Sequence, residues 1–421
     1  MTNSTPKPVT LNQWLAYIEA LHPKSIAMGL ARVKQVASRL ELNPNFPIIT
    51  IAGTNGKGST CAMLEAIYVQ SGYRVGCYTS PHLMRYNERV RINQQEIADD
   101  DLCEAFAAVE AARGDVALTY FEMGTLAAVW HFVNAGLDVA ILEVGMGGRL
   151  DAVNVFEPAC AIVTSVDLDH MEYLGDTREK IGFEKAGIFR ANKLAVCGDA
   201  HPPKSVTDYA AKIDADLQLI GRDFSVGKTA QGWQYSSKKM HLDLPNLALH
   251  GDFQLNNAAC AICTVQHLSK ILPALEANIH KALRAVTLMG RFYQIESNPS
   301  IIVDVAHNPQ AAKALAHNLQ TTPCTGRTLA VFAMLADKDI AGVVHALATH
   351  VSVWYLADIH HVRGAKAIDL QTKLSKETPF KLFENVTLAL QTACKDAAKN
   401  DRIIVFGSFY TVADAIEGLN F

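Results

Sequence analysis

Lys57 lies between two glycines in the stretch Gly53-Thr54-Asn55-Gly56-Lys57-Gly58-Ser59-Thr60, directly after the apolar run Ile49-Thr50-Ile51-Ala52. Glycines let backbone N–H groups converge on an anion without Cβ clashes. A following helix N-terminus adds partial positive charge, and a lysine there reaches terminal phosphates. Strand, glycine turn, lysine and helix in that order are the parts of a nucleotide triphosphate site. The spacing departs from G-x-x-x-x-G-K-[ST], because the loop is shorter and Gly58 separates Lys57 from the first hydroxyl. Ser59 and Thr60 both follow, and the sequence leaves open which would meet a metal ion.

A second polar cluster ends another apolar run, Val139-Ala140-Ile141-Leu142-Glu143, just before Gly145-Met146-Gly147-Gly148-Arg149-Leu150-Asp151. Ligands of open α/β sheets gather at the carboxyl ends of strands, so Glu143 is placed to hold Mg²⁺ beside phosphates. The run Val163-Thr164-Ser165-Val166-Asp167-Leu168-Asp169-His170 ends the same way, and His170 reads either as a second metal ligand or as a surface histidine. Ser80-Pro81-His82 closes the run Val75 to Thr79 and presents a hydroxyl at that edge. Asp176-Thr177-Arg178-Glu179 has the form of a capping box opening a helix that carries Glu184-Lys185. In the last third, Asp304 and His307 end a strand and Asn308-Pro309 begins a helix, which suits ligand contact across a cleft between domains.

Alternating strands and helices are needed to hold these groups. Strands are expected at 47–52, 74–79, 138–144, 159–166 and 193–197, with helices near 57–71, 100–112, 120–135 and 177–188. Apolar runs without polar alternation fit strands covered on both faces. Residues 216–250 alternate and predict a small antiparallel insertion. A second series starts near 300, with strands at 301–305, 328–332, 351–355 and 402–406. The expected fold is α/β: a P-loop NTPase-like N-terminal domain (1–290) with a mostly parallel sheet and an antiparallel insertion. A smaller Rossmann-like C-terminal domain (291–421) follows. With 421 residues, 49% hydrophobic and 19% charged, two globular cores are affordable in length and composition. A net charge of −4 gives no bulk attraction to nucleic acid or membrane, and no apolar run is long enough to span a bilayer. Nine scattered cysteines and no signal-peptide pattern in residues 1–5 predict a reduced cytoplasmic protein. Cys260 and Cys263 read as buried helix thiols and not as a metal site.

Together these motifs resemble the Mur-ligase-type amide ligases in their folate branch, along essentially the whole chain. Besides the segments above, Thr119-Tyr120-Phe121-Glu122, Glu184-Lys185-Ala186-Gly187-Ile188, Met289-Gly290-Arg291-Phe292 and Gly407-Ser408-Phe409-Tyr410-Thr411-Val412 carry the likeness. The resemblance implies ATP-dependent amide formation between a pteroate carboxylate and the amine of L-glutamate, through an acyl phosphate and ADP. It implies that Thr54, Asn55, Gly56, Lys57, Gly58 and Ser59 cradle phosphates, with Asn256, Arg291 and Asp304 as further ATP contacts. Ser80, Glu143 and His170 resemble Mg²⁺ ligands, with Ser59 near the first metal. Lys185 matches a lysine carried as a carbamate. An ammonium roughly 6 Å from a divalent cation would be repelled by roughly 5 kcal/mol at an effective dielectric near 20, whereas a carbamate would be attracted.

The pterin side maps onto Lys24, Ser25, Ile26, Gly29 and Leu30, onto Thr119, Tyr120, Phe121 and Glu122, and onto Leu150, Asp151 and Ala152. Phe121 suits packing on a flat pterin, and Asp151 suits its N–H donors. His307 and Ser408 match glutamate-side residues. Lys57, Lys185, His170 and His307 are the expected catalytic set. Two Mg²⁺ sites are implied, with room for a monovalent cation, and the substrates are 7,8-dihydropteroate, folates, L-glutamate and ATP. A monomer is expected, with no nucleic-acid or membrane partner. Thr119-Tyr120-Phe121-Glu122 resembles the bifunctional bacterial form. The alternatives are a ligase that only lengthens the glutamate tail, or a peptidoglycan-type ligase. The latter usually carries a UDP-binding domain before the phosphate loop, where this chain reads as two short helices.

Overall fold

The computed structural model describes residues 8–24 and 26–419, which divide into two compact units. The first comprises the residues up to Leu247 together with Leu255–Val286; the second comprises Ala248–Gln254 and the chain from Thr287 onward. The break therefore falls shortly before the expected 290/291 boundary, and a short upstream segment joins the second unit. That segment is tied there by Asp252, whose carboxylate lies 3.1 Å from His317 Nε2.

In the first unit, helices α1 (Leu11–Ala20) and α2 (Ala31–Arg39) precede β1 (Ile48–Ala52), α3 (Lys57–Gln70) and β2 (Val75–Tyr78). A hairpin of β3 (Val90–Ile92) and β4 (Gln95–Glu96) leads to α4 (Asp99–Arg113), α5 (Tyr120–Ala135) and β5 (Val139–Glu143). Then come β6 (Cys160–Val163), α6 (Met171–Leu174), α7 (Arg178–Ala186), β7 (Leu194–Cys197), α8 (Lys204–Lys212) and β8 (Asp216–Leu219). Strands β9 (Phe224–Thr229), β10 (Gly232–Ser237) and β11 (His241–Pro245) precede α9 (Phe253–His267) and α10 (Glu276–Ala285).

The main sheet has the order β4-β3-β2-β5-β1-β6-β7-β8, parallel from β2 to β8. Every residue of β1, β5 and β6 is buried, as apolar strands covered on both faces must be. Helix α3 is buried from Ser59 to Tyr68, so the helix that opens at the phosphate loop is itself core. Its position is fixed by burial all round and not by one apolar stripe.

Three elements differ from expectation. Residues 216–219 do not belong to the antiparallel insertion but extend the parallel sheet, Asp216 pairing with Leu194. The insertion itself is the three-stranded sheet β9–β11. The β3–β4 hairpin was not anticipated, because its outer strand is polar and only two residues long. The capping box expected over Asp176–Glu179 is not formed either, because Thr177 and not Asp176 is the N-cap of α7. Thr177 accepts from Lys180 N–H, while Glu179 accepts the N–H groups of Lys204 and Ser205 at 2.9 and 2.8 Å and so opens α8 instead.

The second unit holds β12 (Tyr293–Ser297), β13 (Ser300–Asp304), α11 (Pro309–Thr321), β14 (Thr328–Phe332), α12 (Ile340–Leu347) and β15 (Val353–Ala357). It ends with α13 (Ala367–Gln371), β16 (Phe380–Phe383), α14 (Val386–Asp396), β17 (Arg402–Phe406) and α15 (Phe409–Gly418). Its sheet order is β12-β13-β17-β14-β15-β16, parallel except for β12. The edge strands β12 and β16 escaped the sequence reading because they are mostly exposed and lack an apolar run. Asn308 caps α11, with Pro309 at its first position.

Because Thr177 and Glu179 serve different helices, their removal is expected to be additive. Thr177→Ala should cost about 1 kcal/mol of stability, and the double variant with Glu179→Ala should equal the sum of the singles within about 0.5 kcal/mol. A coupling well above that in thermal melts would contradict the assignment of the two side chains to different helices.

Candidate active site

The phosphate loop is braced from one side. Thr54 N–H donates to Ser165 O at 2.9 Å, Asn55 N–H donates to Ser165 Oγ at 3.1 Å, and Thr164 Oγ1 donates to Asn55 O at 2.6 Å. Thr54 Oγ1 also accepts from Asp167 N–H at 2.9 Å. Thr54 and Asn55 thus hold the loop to the end of β6, which leaves the N-terminus of α3 as the part suited to an anion. Gly56 caps that helix at φ 88, where an L-residue is strained and where a Cβ would overlap the Asn257 side chain. Thr60 Oγ1 donates back to Gly56 O at 2.9 Å inside the helix.

Lys57 Nζ donates to Gly53 O at 3.1 Å and lies 4.0 Å from Glu143 Oε1. Glu143 Oε2 accepts from Ser80 N–H at 3.1 Å, which brings the ends of β1, β2 and β5 together. His170 follows β6 in the left-handed conformation (φ 50, ψ 39), uncommon for a residue other than glycine. Its N–H donates to Asp169 Oδ1 at 2.9 Å.

Lys185, on α7, is only 4% exposed. Burial first, and the neighbouring Lys57 charge next, push its ammonium down to about 7, against the pull of Asp169 and Asp151. The Glu184-Lys185 pair is therefore not a solvated face. What fixes α7 is the glycine turn after β5: Gly148 passes so close to the carbonyls of Glu184 and Lys185 that a Cβ would press on both. Arg149 N–H donates to Glu184 O at 2.8 Å, and its guanidinium pairs with the Glu184 carboxylate at 2.8 Å.

On the pterin side, Gly29 N–H donates to Leu150 O at 3.3 Å, so the 26–30 loop and the 145–152 turn do meet. Half-buried Phe121 packs against Gly145 and lies 5.8 Å from the Tyr78 ring. Leu30 opens α2, Ile26 is half-buried beside it and Lys24 is exposed. Ser25 lies outside the described residues.

Three of the expected substrate residues have structural tasks. Thr119 and Glu122 form the capping box of α5, and Glu122 is held by the Arg32 guanidinium at 2.7 Å, which in turn donates to Ala27 O. Asp151 caps the turn at Ala152–Val155: Oδ1 accepts from Val153 N–H and Oδ2 from Met146 N–H. Burial, only partly offset by these backbone donors, raises its carboxyl to about 7. Arg32, Asn257 and Ser165 were not singled out from sequence. Arg32 has no local signal, since its partner is 90 residues away, whereas the polar pair Asn256-Asn257 inside an apolar helix was readable.

In the second unit, Asp304 accepts from Phe292 N–H and Ala306 N–H at 2.8 Å each, and burial raises its carboxyl to about 6 despite Arg291. Arg291 stacks over Phe409 at 5.4 Å from the ring centroid. His307 Nδ1 donates to Val305 O at 2.9 Å, which fixes the ring. Ser408, expected on the glutamate side, has its hydroxyl engaged within its own helix. Its Oγ accepts from Thr411 N–H at 3.0 Å and meets Thr411 Oγ1 at 2.7 Å, so the hydroxyl is used in capping α15. No helix among the described residues is long and apolar enough to cross a membrane.

Residues 51–265 match the family model described as the Mur ligase middle domain, and residues 290–409 match that of the Mur ligase glutamate ligase domain. The dihydrofolate synthase/folylpolyglutamate synthase of Escherichia coli (strain K12) is 45% identical over 98% of this chain and 96% of its own length. That of Haemophilus influenzae is 42% identical over 96% of each. Among solved structures, E. coli FolC in complex with DHPP and ADP superposes with a TM-score of 0.95 at 44% identity, covering 99% of both chains. The Yersinia pestis bifunctional folylpolyglutamate synthase/dihydrofolate synthase complexed with AMPPNP and Mn ion gives 0.93 at 45%, covering 99% of this chain and 100% of that one.

The buried lysine has a stability signature. With its folded value near 7 below the usual 10.5, the unfolded chain binds the extra proton between those limits, so stability rises with pH across that window. Below about 7 the cost of the buried charge is fully present. Lys185→Met, in metal-free and CO₂-depleted buffer, should therefore melt higher than the wild type near pH 6, with the gap closing toward pH 10. A gap independent of pH would contradict the burial argument.

Proposed function

The chain belongs to the Mur ligase family, in its dihydrofolate synthase/folylpolyglutamate synthase branch, and we propose that it joins L-glutamate by ATP-dependent amide formation to dihydropteroate and to the glutamate tail of folates. The observation that carries the chemistry is Lys57 beside both the phosphate loop and Glu143, 4.0 Å away, at the carboxyl edge of the first sheet. The substrate carboxylate attacks the γ-phosphorus, ADP leaves, and the resulting acyl phosphate is opened by the glutamate amine with release of phosphate. Such a reaction needs positioning and charge neutralisation more than a nucleophile in the protein.

Each residue then has a proposed task. The first-turn N–H groups of α3 and Lys57 hold the transferring phosphate, with Asn256, Arg291 and Asp304 as further nucleotide contacts. His307 serves the glutamate side, where it can take the proton that the amine loses, and Ser408 serves there through the backbone of its helix N-terminus. Residues 26–30, Tyr120, Phe121 and 150–152 receive the pteroyl group.

Oxygen and nitrogen donors at Ser59, Ser80, Glu143 and His170 suit Mg²⁺, which takes one or two carboxylates together with phosphate oxygens and water. Among the described residues no ready cage of three or more His, Cys, Asp or Glu exists, in keeping with an ion completed by its nucleotide. When bound, the ion neutralises charge building on the phosphate oxygens. Two such ions, a monovalent cation and a monomeric working state are part of the proposal. So is a cytoplasmic location, supported by nine cysteines that are all unpaired.

Carbamylation of Lys185 is supported by its burial: a lysine held near 7 offers a neutral amine to CO₂, and the carbamate converts a repelled cation into an oxygen ligand. Protein equilibrated with ¹³CO₂ and Mg²⁺ should show one carbamate carbonyl resonance that Lys185→Ala lacks. The same resonance in the variant would refute the assignment.

With ATP, dihydropteroate and L-glutamate, the wild type should release phosphate and form dihydrofolate, and with dihydrofolate it should add further glutamate. Lys57→Ala should lower kcat by about 10³-fold while melting normally. An unchanged kcat would refute the phosphate-loop assignment.

A further inference from the structure

Arg85, Arg89 and Arg91 come from one short stretch but are held differently. Arg85 reaches Asp99 at 3.3 Å, and Arg91 reaches Glu65 at 2.8 Å. Arg89 has no carboxylate partner among the described residues. Its Nε donates to His82 Nδ1 at 2.8 Å, and its guanidinium lies over the rings of Tyr86 and Tyr120, 5.3 and 5.6 Å from their centroids. The adjacent carboxylate, Glu88, is turned instead to the N–H groups of Leu83, Met84 and Arg85 at 2.6, 2.6 and 2.7 Å.

Two aromatic faces and an imidazole therefore fix the direction of a half-buried cation that lacks a counter-anion. Leaving such a charge uncompensated is unfavourable, and the planar guanidinium fork matches a carboxylate. Its location limits which carboxylate. Arg89 O accepts from Thr79 N–H at 2.9 Å, and Thr79 leads into Ser80, which donates to Glu143. Tyr120 adjoins Phe121, which packs on Gly145 in the pterin-side turn. Arg89 thus stands between the phosphate edge and the pteroyl side.

We propose that Arg89 binds the α-carboxylate of the terminal glutamate of a folate being extended, and so sets the preference between the two acceptors. The inference rests on the ligase reading above. Both acceptors share the pteroyl group, but only the folate carries a second carboxylate, a short saturated spacer away from the one that reacts. A guanidinium serving that second carboxylate acts on tail extension and leaves dihydropteroate without a partner for it.

The test is steady-state kinetics with ATP and L-glutamate, comparing dihydropteroate with dihydrofolate in the wild type, Arg89→Met and Arg89→Lys. Arg89→Met should raise KM for dihydrofolate about 10- to 100-fold at nearly constant kcat, with partial recovery in Arg89→Lys. The rise for dihydropteroate should be at least about tenfold smaller. A dihydrofolate whose α-carboxylate is converted to the carboxamide should suffer a similar KM penalty with the wild type, and no further penalty with Arg89→Met. Equal effects of Arg89→Met on both acceptors, or wild-type enzyme that accepts carboxamide and acid alike, would overturn the proposal. The carboxamide comparison decides the matter even where a variant fails to fold. A wild type that forms neither product would instead count against the ligase reading itself.

Discussion

Two lysines, Lys57 and Lys185, converge on the carboxyl edge of the first sheet, where burial and then the charge of Lys57 push the Lys185 ammonium down. Added to the partial positive charge at the start of α3, the Lys57 ammonium makes this edge a place that favours bound anions. Glu143 and Asp169 supply part of the negative charge, and nucleotide phosphates would supply the rest. The braces around the site follow from this requirement. Thr164 and Ser165 hold the loop, Gly148 lets α7 come close enough to present Lys185, and burial of α3 keeps its N-terminus from moving.

The same economy of polar groups recurs away from the phosphate edge. Glu122 closes a helix cap and anchors Arg32, which fixes the loop entering α2. Glu88 gathers three backbone N–H groups and shapes the turn after Ser80. Carboxylates that a sequence reading assigns to substrate, Glu122 and Asp151, here serve as helix and turn caps.

Legibility in the sequence followed the physics of each element. The buried parallel strands were readable because apolar runs such as Val139 to Leu142 have no other stable setting. The phosphate loop, Glu143, Ser80 and Asn308-Pro309 were readable because glycine, proline and strand-end carboxylates carry local meaning. Edge strands β12 and β16 were not, being mostly exposed, without an uninterrupted apolar run, and held by their neighbours. Nor could spacing reveal that Glu179 caps a different helix from Thr177, that Ser408 caps α15, or that Glu122 pairs with Arg32, since those partners are set by packing. The family resemblance supplied the role proposed for Lys185, and its burial is in keeping with that role.

The central claim is that this edge activates a carboxylate by transfer of the terminal phosphate of ATP. Dihydropteroate labelled with ¹⁸O in its carboxylate tests it most directly. During turnover with ATP and L-glutamate, one labelled oxygen should appear in the released inorganic phosphate, read by mass spectrometry. Label found in AMP, or phosphate released without label while amide accumulates, would contradict the account.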